Sequence, residues 1–340
     1  MTASLLIAPQ WIGDAVMTEP LLRVLAQRGE TLSVAAMPWV APIYRAMPHV
    51  DEVIELPFPR GGLHWGARRN LASQWRGRFE RAYVGPNSWK SALLPWMAGI
   101  PVRVGYHGEA RWGLLNQRLP NPEKNHRGAM VAHYLALAQT EEADSSLQPK
   151  LDLSLDLLKA TLLNFDLKLG AYAVFAPGAE YGPAKRWPAA YFAELGLRTG
   201  LPVVLLGSAK EAALCDEIAQ SIHQERPKTA RNLAGKTDLS QAMALIASSQ
   251  AMLSNDSGLM HVAAAMGVPQ VAVFGSSSPL HTPPMSDKAV VLWLKNEASY
   301  QPPLDCAPCF QRTCPLGHLR CLNDLTPERV EQAWREVVSG

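Results

Sequence analysis

The 340-residue chain has no run of eighteen apolar residues, and its first segment, MTASLLIAPQW, has neither a basic start nor a small-residue cleavage site. A membrane-spanning helix and a secretory signal are therefore not expected, and the protein is expected in the cytoplasm; attachment to a membrane surface stays open. Cysteine is scarce, five residues in all, which excludes a disulfide-built scaffold. Low-complexity tracts and repeats of solenoid length are missing too. With 48% hydrophobic and 18% charged residues, the composition is that of a folded globular protein and excludes disorder.

What is present is an alternation of short apolar runs with longer helical stretches. SLLIAP, TLSVAA, DEVIEL, RAYVGP and VRVGY read as strands, with helices over Ala15 to Gln27 and Ser88 to Met97. Strands apolar throughout, without alternation, belong to parallel sheets covered on both faces. A helix over Ala129 to Gln139, the polar stretch TEEADSSLQPK and the weakly patterned LDLSLD lead into a second series, AYAVFAPG, VVLLGS, AMLSND and QVAVFG. The expected class is α/β: two facing, doubly wound, Rossmann-like domains, 1–160 and 161–325, with a cleft between them. A last helix within 326–340, capped by Thr326 and opened by Pro327, is expected to pack back on the first domain.

The net charge of +2 conceals an asymmetry. Arg60 to Arg127 holds twelve Lys or Arg against three Asp or Glu, a surplus of nine, so the rest of the chain carries seven negative charges. Such a stretch suits an anionic partner, with a merely solvated surface as the plain alternative.

Ligands of open α/β sheets sit beyond the carboxyl ends of strands, where helix N-termini present unpaired amides. SNDSGLMHVAAAMGVPQVAVFG has this build. Asp256 can cap the helix, the Ser257 hydroxyl can donate to an anion, and Gly258 lets a ligand reach the backbone, with the Leu259 amide beside it. His261 fits a core position better than a ligand contact, although it is one turn from the anion site. The companion stretch PGAEYGPAKRWP leaves a strand through Gly178 and brings Lys185 and Arg186 to a chain reversal. Those two can supply charge for a diphosphate, with a basic loop in water as the plain alternative, while Trp187 is expected to plug the core.

Together with PQWIGDAVMTEPLL, PNSWKSALLPWMAGIPVRVGY, VVLLGSAKE and NLAGKTDL, these stretches resemble the ADP-heptose:lipopolysaccharide heptosyltransferases over nearly the whole chain, in order. The resemblance is nearest the branch that adds the second heptose. It implies a GT-B fold, an ADP-heptose donor held by the C-terminal domain, a lipid A-linked inner-core lipopolysaccharide acceptor held by the N-terminal one, and inverting transfer without a metal or other catalytic cofactor. It further implies that Asp14 is the catalytic base and supports Lys185 and the DSGL turn as the groups that stabilise departing ADP. By residue type alone, Asp14 would cap the following helix, with Gly13 allowing a substrate close approach. No DxD-like acidic pair stands in an obvious donor loop.

With such an acceptor, the basic stretch gains a partner in its carboxylates and phosphates; the candidates are Arg60, Arg68, Arg69, Lys90 and Arg111. Seven of the ten tryptophans fall within the first 112 residues, a distribution that suits sugar rings or headgroups at the inner face of the inner membrane, though most are expected in the core. Cys306, Cys309, Cys314 and Cys321 form a cluster, CAPCFQRTCPLGHLRC, for which a structural zinc, reduced thiols or a redox-labile clip are all open. Other readings are a heptosyltransferase acting at another core position, a nucleotide-sugar epimerase on the same fold, a nucleotide-sensing module, and a nucleic-acid binder. The last is disfavoured, because the basic stretch has no recognition helix or RNP-type aromatic motif.

Overall fold

The computed structural model describes residues 2–59, 61–121, 128–140 and 147–339, which form two units, 1–152 and 153–340. The first unit runs β1 (Thr2–Ile7), α1 (Ile12–Met17), α2 (Glu19–Gln27), β2 (Glu30–Ala36), α3 (Ala41–Arg45), β3 (Glu52–Glu55), α4 (Trp65–Gln74), β4 (Arg81–Val84), α5 (Trp89–Met97), β5 (Val102–Tyr106), β6 (Gln117–Leu119) and α6 (Met130–Leu135). All its paired strands are parallel, in the order β3-β2-β1-β4-β5-β6. This is the strand order of a nucleotide-binding sheet. Its direction of growth reverses between β1 and β4.

The second unit runs α7 (Leu155–Asn164), β7 (Ala173–Ala176), α8 (Ala189–Arg198), β8 (Val203–Leu205), α9 (Ala212–Glu225), β9 (Ala230–Asn232), α10 (Leu239–Ala247), β10 (Ala251–Asn255), α11 (Gly258–Ala265), β11 (Gln270–Val273), β12 (Ala289–Leu292), α12 (Arg320–Asn323) and α13 (Pro327–Ser339). Its sheet, also parallel, is ordered β12-β11-β10-β7-β8-β9, which read from β7 onward is the same topology. The reversal here lies between β7 and β10. Every residue of β7, β10 and β11 is buried, as strands covered on both faces must be.

Three expectations shift. The division falls after Asp152, ahead of residue 160, because α7 packs on α10 and so belongs to the second unit; part of the expected passage, 141–146, lies outside the described residues. The single helix over Ala15 to Gln27 is two. Pro20, lacking an N–H and crowding the preceding turn, starts a new helix, and the buried Thr18 at the joint turns its Oγ1 onto the Ala15 carbonyl at 2.6 Å. Finally, α13, expected to pack back on the first domain, buries Val330, Ala333, Trp334 and Val337 in the core of the second unit. Trp334 meets Phe175 of β7 edge-on at 5.8 Å, and Arg198 of α8 pairs with Glu328 and Glu331 of α13 at 2.5 and 3.0 Å.

Candidate active site

In the second unit the chain after β7 and the chain after β10 lie side by side at the strand reversal. Asn255, the last residue of β10 and fully buried, joins them: its Nδ2 donates to the Pro177 carbonyl at 2.7 Å and its Oδ1 accepts the Trp187 amide at 3.0 Å. Both ends of the loop carrying Lys185 are thereby fixed to one strand end. Trp187 fills the core as expected, with its indole N–H on the Leu325 carbonyl at 2.8 Å.

Asp256 does not cap α11. Its carboxylate accepts from the Lys185 ammonium at 2.5 Å and from the Thr282 hydroxyl at 3.4 Å. The N-cap position falls to Ser257, which makes no side-chain capping bond. The first turn of α11 therefore keeps its amides free of a side-chain cap. Around this point the hydroxyls of Ser257, Ser276 and Ser277 and the Nε of Arg186 are buried without a hydrogen-bond partner among the described residues. Ser276 belongs to the same assembly, its amide donating to the Ala184 carbonyl at 3.3 Å. A buried unsatisfied hydroxyl costs about 1–3 kcal/mol. Several gathered beside an ammonium and an open helix N-terminus make a receptor for an anion with many acceptor oxygens.

Ser276, Ser277, Thr282 and Tyr181 were not singled out from the sequence. The Tyr181 ring has the Lys185 ammonium 5.4 Å from its centre and the Arg312 guanidinium at 5.1 Å, and its hydroxyl donates to the Phe310 carbonyl at 2.7 Å. His261 is buried on α11, and burial, helped by the Lys185 charge and opposed by Asp256, brings its pKa down to about 4. The imidazole is thus neutral and can offer an anion a hydrogen bond but no charge. The room left by Gly178 is occupied by the Glu211 carboxylate, which caps the turn at Ser208, so close packing already accounts for that glycine.

In the first unit Asp14 stands at the carboxyl edge of β1, beside that sheet's own reversal. It is not the helix cap: the N-cap of α1 is Trp11, and Asp14 lies in the first turn, following the buried Gly13. Its carboxylate accepts the Tyr134 hydroxyl, and its charge also reaches Tyr44. Both phenols are buried, and burial first, with the neighbouring carboxylate second for Tyr134, drives their pKa values far up. They are permanent O–H donors. Thr18, at the break between α1 and α2, has its own proton on the Ala15 carbonyl and its Oγ1 3.3 Å from the Tyr44 hydroxyl, from which it can accept, so the joint that split the expected helix also orders this cluster.

A cavity of about 110 Å³ opens at the same sheet edge between the ends of β1, β2, β3 and β4, lined by Gln10, Met37, Phe58, Arg68 and Lys90. Two of the expected acceptor residues, Arg68 and Lys90, thus come together, and Arg69 is exposed on α4. The Arg68 guanidinium spends its Nε on the Leu63 carbonyl at 2.8 Å and its Nη1 on the Lys90 carbonyl at 3.0 Å, and it covers the Phe58 ring at 4.5 Å. Arg111, expected on the acceptor surface, is instead turned inward. Only 2% exposed, it binds the Pro86 carbonyl, the Asn87 side chain and the Tyr106 carbonyl, which makes it an internal brace. Arg60 lies outside the described residues.

The four clustered cysteines are free thiols. Among the described residues no three His, Cys, Asp or Glu side chains stand together as a metal-ligand shell.

Two parallel sheets of nucleotide-binding order, each with its candidate groups at the strand reversal, define a GT-B glycosyltransferase. The chain belongs to glycosyltransferase family 9, the heptosyltransferases, whose family pattern matches residues 68–320. It is 42% identical to lipopolysaccharide heptosyltransferase 2 of Escherichia coli K12, over 96% of this chain and 95% of that one. Identity to lipopolysaccharide heptosyltransferase 2 of Salmonella typhimurium is 41%, over 98% of each. A solved E. coli ADP-heptose lipopolysaccharide heptosyltransferase II superposes with a TM-score of 0.84 at 38% identity, covering 100% of this chain and 99% of that one.

Proposed function

We propose that this protein moves L-glycero-D-manno-heptose from ADP-heptose onto the first heptose of the lipopolysaccharide inner core, with inversion at the transferred carbon. Asp14 takes the proton of the acceptor hydroxyl. The freed oxygen attacks the anomeric carbon as its bond to the β-phosphate oxygen breaks, and ADP departs with the electron pair. The charge that grows on the diphosphate is met by Lys185, by the first amides of α11 at Gly258 and Leu259, and by the hydroxyls of Ser257, Ser276 and Ser277, with Arg186 alongside. The Lys185 ammonium and Asp256 hold each other in place until the donor's phosphates compete for the lysine. His261 contributes packing and a neutral hydrogen-bonding group. No step in this scheme runs through a metal or other cofactor.

The observation that carries this reading is the gathering of orphaned donors around Lys185 at the strand reversal of the second sheet. The acceptor side rests on the cavity that holds Arg68 and Lys90 beside Asp14's sheet edge, with Arg69 nearby. A lipid A-linked acceptor places the enzyme peripherally at the inner face of the inner membrane. Among the described residues no helix is long and apolar enough to cross a membrane. In the basic unit, Trp65, Trp96 and Trp112 are 49%, 46% and 71% exposed, as suits side chains that rest in a headgroup layer. An anionic glycolipid acceptor accounts for the basic surplus without nucleic acid.

The test is direct. Purified protein is incubated with ADP-heptose and lipopolysaccharides truncated after defined sugars, and the products are weighed. Addition of one heptose to the acceptor that ends at the first heptose is expected; transfer only to other truncations would refute the assignment.

A further inference from the structure

Between the turn at Leu294–Asn296 and α12 the chain forms no helix or strand. A stretch of that length with no secondary structure is uncommon inside a compact domain and needs something to hold it. Yet this segment reaches the donor site: the Ala184 amide donates to the Arg312 carbonyl at 3.0 Å, and the Phe310 amide donates to the Ser276 carbonyl at 2.7 Å.

Cys306, Cys309, Cys314 and Cys321 all line one cavity of about 20 Å³ at the base of this segment, against Ala184. That is room for a single small ion. His318 also lines it, but its Nδ1 already accepts the Arg320 amide at 3.0 Å, which leaves the four sulfurs as the donor set. The opening pair is spaced C-x2-C, as in structural thiolate sites. As free thiols the four surround the cavity without closing into a ligand shell; binding an ion would draw them inward.

We infer that these four cysteines bind a thiophilic divalent cation, with Zn²⁺ the expected occupant. Four thiols give their protons to solvent, and the sulfurs become a tetrahedral tetrathiolate around the ion. The ion is structural: it ties the loop that carries Phe310 and Arg312 to the start of α12, and through Tyr181 and Ala184 it steadies the turn bearing Lys185. This inference does not depend on which sugar is transferred.

Full-length protein purified under reducing conditions without added metal is expected to carry about one equivalent of zinc by elemental mass spectrometry. Exchange into Co²⁺ should give the intense visible absorption of a tetrahedral thiolate site. Cys309→Ser and Cys314→Ser should each abolish that absorption and lower the Tm. Another thiophilic ion in stoichiometric amount, with the same loss in both variants, upholds the site and identifies its metal. Protein that is metal-free, gives no thiolate absorption with cobalt and exposes all four thiols to a thiol reagent overturns the inference, as does a disulfide within the cluster. Should a variant fail to fold, the wild-type metal content and cobalt spectrum decide.

Discussion

Lys185 and Asp256 meet at 2.5 Å across the strand reversal of the second sheet, with only 18% and 5% of their side chains exposed. The pair is both a structural tie and a reserve of charge for a ligand. Removing one partner leaves the other buried and uncompensated.

For Lys185→Ala the expected result is a fall in kcat of about 100-fold, larger than the rise in donor KM, because charge builds on the leaving diphosphate mainly in the transition state. The variant should also lose stability. Adding Asp256→Asn should return most of the Tm and none of the rate. Steady-state kinetics with ADP-heptose, paired with thermal melts of both variants, check this; an unchanged kcat would remove the lysine from the mechanism.

On the proposed scheme, in which Asp14 acts on the acceptor hydroxyl and the second sheet holds the nucleotide, Asp14→Asn is expected to abolish transfer while leaving ADP affinity within about twofold. Calorimetric titration with ADP beside a product assay separates the two effects. Retention of transfer would return Asp14 to a purely structural role.

Tyr134→Phe keeps the buried ring and deletes the hydroxyl that donates to Asp14. That bond favours the charged carboxylate, so its loss should move the acid limb of kcat/KM to higher pH at a cost of about 1 kcal/mol in stability. A pH–rate profile that matches the wild type would show that the bond serves packing alone.

His261 supplies a pH signature of folding. Its native pKa of about 4 lies below the unfolded value, so between roughly pH 6.5 and 4 the unfolded chain binds a proton that the native protein refuses. Stability contributed by the neutral imidazole is present above that window and declines as pH falls through it, by roughly 3 kcal/mol in all. Urea midpoints measured across this range should drop less steeply for His261→Gln than for wild type. Parallel slopes would mean that the histidine titrates normally in the folded state.

Much of this architecture follows from residue order because strands buried on both faces are apolar on both faces, and AVFA and QVAV declare themselves without context. Pro20 carried the signal for the broken helix, two residues past a threonine whose hydroxyl takes up a carbonyl at the joint. The serines at 276 and 277 gave no such warning. In sequence they read as an ordinary turn after a strand, and only tertiary burial reveals hydroxyls with nothing to bond. Charge counting has the opposite weakness: it scores Arg69 and Arg111 alike, although one is solvated and the other is clasped by backbone carbonyls.

The shared strand order has an evolutionary corollary. Each sheet displays its working loops at its own reversal, on a scaffold that folds around a separate core. Loop changes in one half leave the other's framework untouched, so each set of working loops can be altered without disturbing the sheet that carries the other.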